Sequence, residues 1–170
     1  MMFSTPRLVV REWDAGRGPA FVLALLSDPV VNAKLPWQDI MTLERAGAWI
    51  ERKEGGNTFP VFTADEAAKF VGFVGVIDAP EGSLTCSLEV GYVLGAVYWG
   101  RGFATEVVAG LLDCLWRSHP GVRSVLAYTD ALNAGSQRVL QKNGFCAVQG
   151  TVLHRGVNRM CYEVQRAPSK

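Results

Sequence analysis

Hydrophobic residues recur with two different periods along the chain, and the first half contains both. Alternation with β-branched residues over Arg7–Trp13 predicts a strand. Apolar residues three and four positions apart predict helices over Ala20–Leu26, which ends at the Asp28-Pro29 pair, and over Leu43–Lys53. Three successive strands joined by short connections are predicted next, at Thr58–Thr63, Phe70–Asp78 and Thr85–Leu94.

The second half alternates helices and strands. The almost continuous apolar run from Phe70 to Ile77 is typical of a central strand that is buried on both faces. Strands followed by a β-α-β-α-β-β order predict an α+β or mixed α/β layer fold. The later elements are a helix over Ala104–Trp116, a strand over Arg123–Thr129, a helix over Ala134–Lys142 and a hairpin-like pair within Phe145–Val164.

Composition restricts the class of protein. The chain has 170 residues, 49% hydrophobic and 19% charged, and its 17 Lys and Arg against 16 Asp and Glu give a net charge of +1. Length and hydrophobicity predict one compact domain over residues 1–170. Near-neutral charge disfavours nucleic acid or an anionic membrane as the main partner, since both select a basic surplus. No secretory signal or membrane span is recognisable, and the four scattered cysteines lack metal-ligand spacing, so a cytoplasmic location is expected.

A glycine-rich turn joins a predicted strand to a predicted helix. The strand ends near Leu94, Gly100 and Gly102 follow, and the helix begins at about Ala104. Glycines allow a close approach to a ligand, and the free N–H groups of a helix N-terminus attract anions. The combination is typical of a phosphate or pyrophosphate cradle, with an ordinary strand-to-helix turn as the alternative. Glu106 is expected to face away from the anion.

The following helix carries a second polar feature. Asn133 lies at a predicted N-cap, and Asn143-Gly144 lies at a predicted C-cap. Ser136 and Leu140 share one helix face because they lie one turn apart. A cradle at one helix N-terminus and a serine on the next helix predict a single cleft for a long, phosphate-bearing cofactor.

Three motifs follow one another between Thr5 and Val164: TPRLVVREW, EVGYVL…YWGRGFATE and N-x-x-S-x-x-V-L-x-K-x-G-F. In this order and spacing they resemble the GCN5-related N-acetyltransferase (GNAT) superfamily, specifically its RimJ/RimL-like branch of ribosomal-protein N-terminal acetyltransferases. The resemblance implies a curved, mixed sheet of six to seven strands with about four helices. It also implies a split between two parallel strands, here those ending near Leu94 and Thr129, which acetyl-CoA enters as co-substrate.

The resemblance further implies which residues bind acetyl-CoA. The pantetheine arm would pair with the strand edge at Tyr92, Val93 and Leu94, as an added strand does. A backbone N–H near Val93 or Leu94 would polarise the thioester carbonyl. Asn133 and Ser136 would contact the cofactor. The pyrophosphate would be bound by the backbone N–H groups of Gly100, Arg101, Gly102, Phe103, Ala104 and Thr105.

Two residues are candidates for proton transfer during direct attack of an amine on the thioester. Glu89 is the candidate base, acting through a water, because an attacking amine must be neutral. Ser136 is the candidate acid for the departing thiolate, because Leu140 stands where many members of the family have a tyrosine. The alternatives are a solvent-facing strand carboxylate and a serine that only hydrogen-bonds the cofactor. Trp99 also departs from the wider family, in which Gln or Arg is found.

Residues outside these motifs leave the acceptor open. His119 is expected at a helix C-terminus, where the dipole favours it, and His154 receives no role. Trp37 is a candidate for substrate specificity, since loops between N-terminal helices often carry it. A basic cluster would favour an acidic acceptor or form a solvated strand face; it consists of Arg155, Arg159 and Arg166.

Two functions are compatible with this sequence. The first is an acetyl-CoA-dependent N-acetyltransferase that acts on a protein N-terminal α-amine or on a small-molecule amine. The second is a non-catalytic acyl-CoA-binding regulatory module of the same fold, which Leu140 favours. A homodimer that pairs through the apolar C-terminal strands is also compatible with the sequence.

Overall fold

The fold is described from a computed structural model that covers residues 2–14, 16–35, 42–52, 57–78, 87–154 and 156–167. Trp37 and Arg155, which the sequence singled out, lie outside the described residues, as do Lys53 at the end of a predicted helix and Thr85 at the start of a predicted strand. Among the described helices, none is both long and apolar enough to cross a membrane.

The described chain contains eight strands, five α-helices and a short 3₁₀ helix over Ala96–Tyr98. This confirms the mixed α+β class. The strands are β1 (Phe3–Ser4), β2 (Leu8–Val10), β3 (Asn57–Thr63), β4 (Phe70–Asp78), β5 (Ser87–Leu94), β6 (Ser124–Thr129), β7 (Cys146–His154) and β8 (Val157–Gln165). The helices are α1 (Gly18–Leu26), α2 (Pro29–Asn32), α3 (Leu43–Arg52), α4 (Phe103–Ser118) and α5 (Ala134–Lys142).

Eight strands and five α-helices in the described residues correct the expectation of six to seven strands and about four helices. β1 has two residues and α2 has four, so neither is long enough to show a period in the sequence. The Asp28-Pro29 pair, which the sequence analysis used to end the preceding helix, also begins α2. The Asp28 carboxylate accepts hydrogen bonds from the N–H groups of Val30 (2.8 Å) and Val31 (3.4 Å), and Pro29 fills the first helical position, where no N–H is needed.

All eight strands join one sheet in the order β1-β2-β3-β4-β5-β6-β8-β7. Of the described pairs, β5 and β6 alone are parallel, which confirms the expected parallel pair. Their pairing covers Ser87–Glu89 against Ser124–Leu126, and both strands then continue without pairing to each other. The sheet is therefore open between the C-terminal halves of β5 and β6.

Helices cover both faces of the sheet. On one face α4 and α5 form the larger core, which includes Val90 of β5 and Leu111 of α4. On the other face α1 and α3 form a second core, which includes Val93 of β5 and Trp49 of α3. Because side chains alternate between the faces of a strand, β5 sends even-numbered residues toward α4 and odd-numbered residues toward α1 and α3.

The first turns of α4 are bound to the N-terminal strands. Glu106 accepts hydrogen bonds from the Thr5 hydroxyl (2.6 Å), the Arg7 backbone N–H (2.8 Å) and the Arg7 Nε (2.6 Å). Nη1 of Arg7 also donates to the carbonyl of Arg101 in the glycine turn (3.1 Å). The Glu106 carboxylate thus binds the segment that connects β1 to β2 and does not line the cavity, in agreement with the expectation that it faces away from a bound anion.

We expect Gly110→Ala to destabilise the fold although alanine is the better helix former by about 1 kcal/mol. A Cβ at this position would lie 2.6 Å from Cε2 of Phe3 and 2.8 Å from Cγ2 of Thr5, and overpacking costs about 1–3 kcal/mol. The matched control is Gly135→Ala in α5, whose new Cβ would meet its nearest atom, Oδ1 of Asn133, at 3.5 Å. Urea denaturation should show a lower free energy of unfolding for Gly110→Ala and an unchanged or higher one for Gly135→Ala; equal gains in both variants would contradict the packing.

We expect the Glu106 interactions to stabilise the fold at neutral pH and to be lost in acid. Burial acts to raise the pKa of Glu106, but the hydrogen bonds from Thr5 and Arg7 and the charge of Arg7 outweigh it and hold the pKa below its ordinary value of 4.5. Its contribution is therefore present above the unfolded pKa and disappears as the pH falls through the lower folded pKa. Wild type and Glu106→Gln, compared by urea denaturation across pH, should differ most at neutral pH and converge only in acid below the lowered folded pKa of Glu106; a constant difference would contradict this.

Candidate active site

A cavity of about 440 Å³ crosses the sheet where β5 and β6 separate. Its walls come from both faces: Tyr92 and Leu140 from the α4–α5 side, and Trp49 and Phe73 from the α1–α3 side. The cavity therefore connects the N-termini of α4 and α5 with the opposite face of the sheet. The predicted site residues that line it are Glu89, Tyr92, Val93, Leu94, Gly100, Ala104, Asn133 and Ser136.

The glycine turn leaves the first N–H groups of α4 free. Gly100 and Gly102 have φ values of 71° and 79°, which favour glycine, and a Cβ on Gly100 would meet no atom within 4 Å. Within the helix the N–H of Glu106 is bonded to the carbonyl of Gly102 (3.0 Å), so the N–H groups of the three residues between them have no intrahelical partner. Open space, free donors and the positive end of the helix dipole fit a diphosphate group.

The other residues predicted to bind the diphosphate, Arg101, Gly102, Phe103 and Thr105, do not line the cavity. Phe103 is buried in the larger core. The Arg101 guanidinium lies over the rings of Phe103 (5.1 Å) and Tyr98 (5.9 Å). The carbonyl of Thr105 accepts a hydrogen bond from Nδ2 of Asn143 at the C-cap of α5 (3.3 Å), which fixes the two helices relative to each other.

Along β5, the backbone N–H and C=O groups of successive residues point alternately toward β4 and toward the opening. The N–H of Gly95 donates to the carbonyl of Val71 (2.9 Å), and hydrogen-bonded pairs alternate in an antiparallel ladder. The register then bonds Val93 to Phe73 of β4, while Tyr92 and Leu94 direct their backbone N–H and C=O groups toward β6. Tyr92 and Leu94 are thus the two predicted edge residues with polar groups in the opening, and Val93 contributes its side chain to the wall.

Trp99 occupies part of this edge. Its indole Nε1–H donates to the carbonyl of Leu94 at 2.8 Å, and the ring lines the cavity. The acceptor of Leu94 is therefore already bonded, whereas its N–H stays available. Trp99, which stands where the wider family has Gln or Arg, is thus held beside the opening by this hydrogen bond.

At the start of α5, a serine and a tyrosine lie together. Oδ1 of Asn133 accepts from the N–H of Ser136 (3.1 Å), as the sequence predicted for an N-cap. The Tyr92 hydroxyl makes a long hydrogen bond to the carbonyl of Ser136 (3.5 Å), and burial raises the pKa of Tyr92 to about 12. Leu140 is 1% exposed and belongs to the core. A phenol thus lies beside Ser136 although the tyrosine position of the family holds leucine.

On the opposite face, Glu89 is paired with His154. Nε2 of His154 lies 3.0 Å from Oε2 of Glu89, and both side chains are 17% exposed and line the cavity. The His154 ring stacks on Tyr128 with centroids 3.8 Å apart. Nδ1 of His154 is buried and has no hydrogen-bond partner among the described residues. Sequence reasoning missed this pair, since 65 positions separate its members and only the registers of β5 through β8 bring them together.

The predicted basic cluster is divided by the fold. Arg166 donates to the carbonyls of Val122, Trp116 and His119 at 2.6–3.0 Å, which makes it a structural residue. His119 lies at the C-cap of α4, as predicted. Arg159, by contrast, lines the cavity. No group of three or more His, Cys, Asp or Glu side chains able to hold a metal ion occurs in the described part of the chain.

The known proteins to which this chain is similar in sequence or in fold include several acetyltransferases. The chain is 29% identical over 146 residues to the uncharacterised N-acetyltransferase YnaD of Bacillus subtilis strain 168, with 85% of this chain and 82% of YnaD covered. The fold is similar to that of the aminoglycoside acetyltransferase AAC(6')-Ib in complex with coenzyme A (TM-score 0.78, 17% identity, 94% and 95% of the two chains). It is also similar to RimL, a ribosomal L7/L12 α-N-protein acetyltransferase, in complex with coenzyme A (TM-score 0.76, 16% identity, 97% and 98%).

A family model described as an acetyltransferase (GNAT) domain matches residues 7–146. That range contains the glycine turn, the β5 edge and the start of α5, which together border the cavity. The chain therefore belongs to the GNAT acetyltransferase family and is an acyltransferase that uses acetyl-CoA as its co-substrate.

Proposed function

We propose that this enzyme transfers an acetyl group to a primary amine by direct attack on the thioester, with Glu89 as the proton acceptor. The observation that carries the proposal is the position of the Glu89 carboxylate, which lines a cavity that also reaches the N-termini of α4 and α5. Bound acetyl-CoA supplies an acylating thioester. As the new C–N bond forms and the C–S bond breaks, the amine proton passes to Glu89 and the sulfur receives a proton from the α5 side.

The cofactor would be held by backbone groups. The N–H groups at the start of α4, from Gly100 through Thr105, would bind the diphosphate. The N–H and C=O of Tyr92 and the N–H of Leu94 would pair with the pantetheine amides, since β6 leaves them free. Asn133 would contact the same arm from α5.

Glu89 is better placed than His154 to accept a proton. Nε2 of His154 is engaged with Glu89, and Nδ1 is closed to any ligand by burial. The Glu89 carboxylate keeps its second oxygen, Oε1, without a hydrogen-bond partner among the described residues. His154 therefore acts as a positioning residue that fixes one carboxylate oxygen, and the other oxygen receives the proton directly or through a water.

Ser136 and Tyr92 are the proposed donors toward the departing thiolate. Both line the cavity at the start of α5. Because the pKa of Tyr92 is raised to about 12, its phenol stays protonated at neutral pH and is a hydrogen-bond donor to developing negative charge. The two hydroxyls would donate the proton that Leu140 cannot. They therefore favour a catalytic enzyme over the alternative, a non-catalytic acyl-CoA-binding module.

Membership of the RimJ/RimL-like branch is part of this proposal. The three ordered motifs and the similarity in fold to RimL support it. The branch does not by itself identify the acceptor, because AAC(6')-Ib, named for an aminoglycoside, is equally similar in fold.

We expect Glu89→Gln to lower kcat by about 10²–10⁴-fold, the usual contribution of a positioned base. The assay is release of the CoA thiol from acetyl-CoA with a panel of primary amines: leucine, leucinamide, O-phosphoethanolamine, ethanolamine and putrescine. Binding of acetyl-CoA should persist, because Glu89 lies on the face of the sheet opposite α4; at 100 times its Kd the ligand should still add about 2.7 kcal/mol to the free energy of unfolding.

Glu163→Gln is the matched control. Glu163 pairs with Leu126, which pairs with Glu89, so both carboxylates lie on one face of the sheet, but Glu163 does not line the cavity. Equal losses in the two variants would reject Glu89 as the base. Stabilisation by acetyl-CoA with no CoA release from any amine would instead favour the regulatory module.

We expect Ser136→Ala and Tyr92→Phe each to lower kcat by about tenfold or more and the double variant to lose more than either, because both hydroxyls serve the same thiolate. The Kd of acetyl-CoA, measured by thermal shift titration, should stay nearly constant. Tyr98→Phe is the control, since Tyr98 is a tyrosine near the glycine turn that does not line the cavity. A weaker Kd with an unchanged kcat would make the two residues cofactor-binding only.

A further inference from the structure

The part of the cavity on the α1–α3 face, here called the acceptor side, carries an excess of positive charge. Its charged lining residues in the described chain are Lys34, Arg159 and Glu89. Glu89 is the single carboxylate among them and is bound to His154. The lining also includes Asp130, which follows β6 and whose carboxylate accepts from the N–H of Leu132, and Arg138 of α5. The described lining as a whole therefore has three basic side chains against two carboxylates.

Arg159 lies on the same face as the proposed base. It pairs with Val152 of β7, two residues before His154, and the next residue of β8 on its face, Cys161, pairs with Tyr128. Paired residues share a face, so Arg159, His154 and Tyr128 point to one side of the sheet. Arg159 is thus part of the wall that contains the Glu89–His154 pair.

The Arg159 guanidinium has no assigned partner. Its side chain is half-buried, and no hydrogen bond, ion pair or aromatic ring in the described part of the chain engages it. Arg166, by contrast, donates to three backbone carbonyls and packs against the Trp116 ring, as expected of an arginine with a structural role. A half-buried guanidinium with five free donors is suited to a ligand carboxylate or phosphate, which it binds through two parallel hydrogen bonds.

Lys34, just after α2, supplies a second cation to the lining, and much of the lining near α2 and α3 is apolar. Its neighbours in that lining are Val31 and Leu35, and Trp49 and Phe73 continue it. Such a site discriminates by charge as well as by shape: it favours a ligand that combines an anionic group with an apolar body and disfavours a polycation. The 440 Å³ cavity lies within the range of small-molecule sites, about 300–1,000 Å³.

We infer that the acceptor is a small primary amine that also carries an anionic group, a carboxylate or a phosphate, held by Arg159 and Lys34 while the amine reaches Glu89. The inference rests on the proposed acetyl transfer and adds the substrate class. Free α-amino acids with apolar side chains have this arrangement of groups, and phosphorylated amines share its anionic chemistry. Aminoglycosides and polyamines lack it.

The experiment compares matched acceptors that differ in the anionic group alone. CoA release is measured for leucine against leucinamide and for O-phosphoethanolamine against ethanolamine, with putrescine as the cationic probe. A carboxylate raises the pKa of a neighbouring amine and makes it less often neutral, so unassisted chemistry favours leucinamide. We expect kcat/KM to be at least tenfold higher for the acid-bearing member of one of the two pairs, and the pair that responds identifies carboxylate or phosphate as the anion.

Variants then assign the preference to Arg159. Arg159→Gln should reduce the ratio of kcat/KM between the acid-bearing and neutral acceptors by about tenfold or more, as loss of a charge-assisted hydrogen bond would. Arg159→Lys should give an intermediate ratio, because it keeps the charge and loses the planar fork. Lys34→Gln should reduce the ratio less, since Lys34 is exposed. The control is Arg117→Gln, an exposed arginine of α4 outside the cavity.

The outcomes separate this inference from the function on which it rests. CoA release that is faster with ethanolamine, leucinamide or putrescine than with either acid-bearing amine would overturn the anionic acceptor and uphold acetyl transfer to amines. A preference for acids that Arg159→Gln leaves unchanged would overturn the role of Arg159. CoA release from a peptide N-terminal amine but from none of the five small amines would overturn the anionic small-molecule acceptor and uphold acetyl transfer. Binding of acetyl-CoA without CoA release from the peptide or from any of the five amines would overturn both.

Discussion

The short pairing of β5 with β6 is the constraint on which the rest of the molecule depends. After Ser87–Glu89 the two strands no longer bond to each other, so Tyr92 and Leu94 keep polar backbone groups inside a largely apolar cavity. Unpaired backbone groups are costly when no water or ligand reaches them. The opening therefore favours an extended molecule with amides of its own, and the same separation brings the Glu89 carboxylate within one cavity with the start of α4.

Hydrogen bonds outside the opening fix the positions of the helices that border it. Glu106 and Arg7 connect α4 and the glycine turn to the segment between β1 and β2, and Asn143 at the C-cap of α5 connects that helix to α4. The site is thus a set of helix N-termini whose positions are fixed by hydrogen bonds remote from the cavity. On the other face, His154 and Tyr128 fix one oxygen of Glu89 in a similar way.

Local signals made much of this architecture predictable. The bounds of α5 and of β4 agree with the sequence periodicity, and the glycine turn was visible because φ values near 75° require particular residues. Interactions between distant strands were not visible. Neither His154 nor Arg159 stands in a motif, and each enters the cavity because of strand registers that no local pattern encodes. Val93 bonds its backbone to β4, whereas Tyr92 and Leu94 direct theirs toward β6. This difference follows from which residues of the antiparallel pair are hydrogen-bonded, and the pattern of hydrophobic residues does not predict it.

The indole of Trp99 has a consequence for how the chain avoids unwanted association. A strand edge inside an open sheet is a template for a strand of another molecule, which would need an uninterrupted series of donors and acceptors. Here the series is short, and its terminal acceptor on Leu94 is covered by the Trp99 N–H. Helices on both faces restrict access further. The gap can thus accept a slender chain with a few amides while refusing a polypeptide, which protects the protein from edge-to-edge aggregation at the place where its sheet is incomplete.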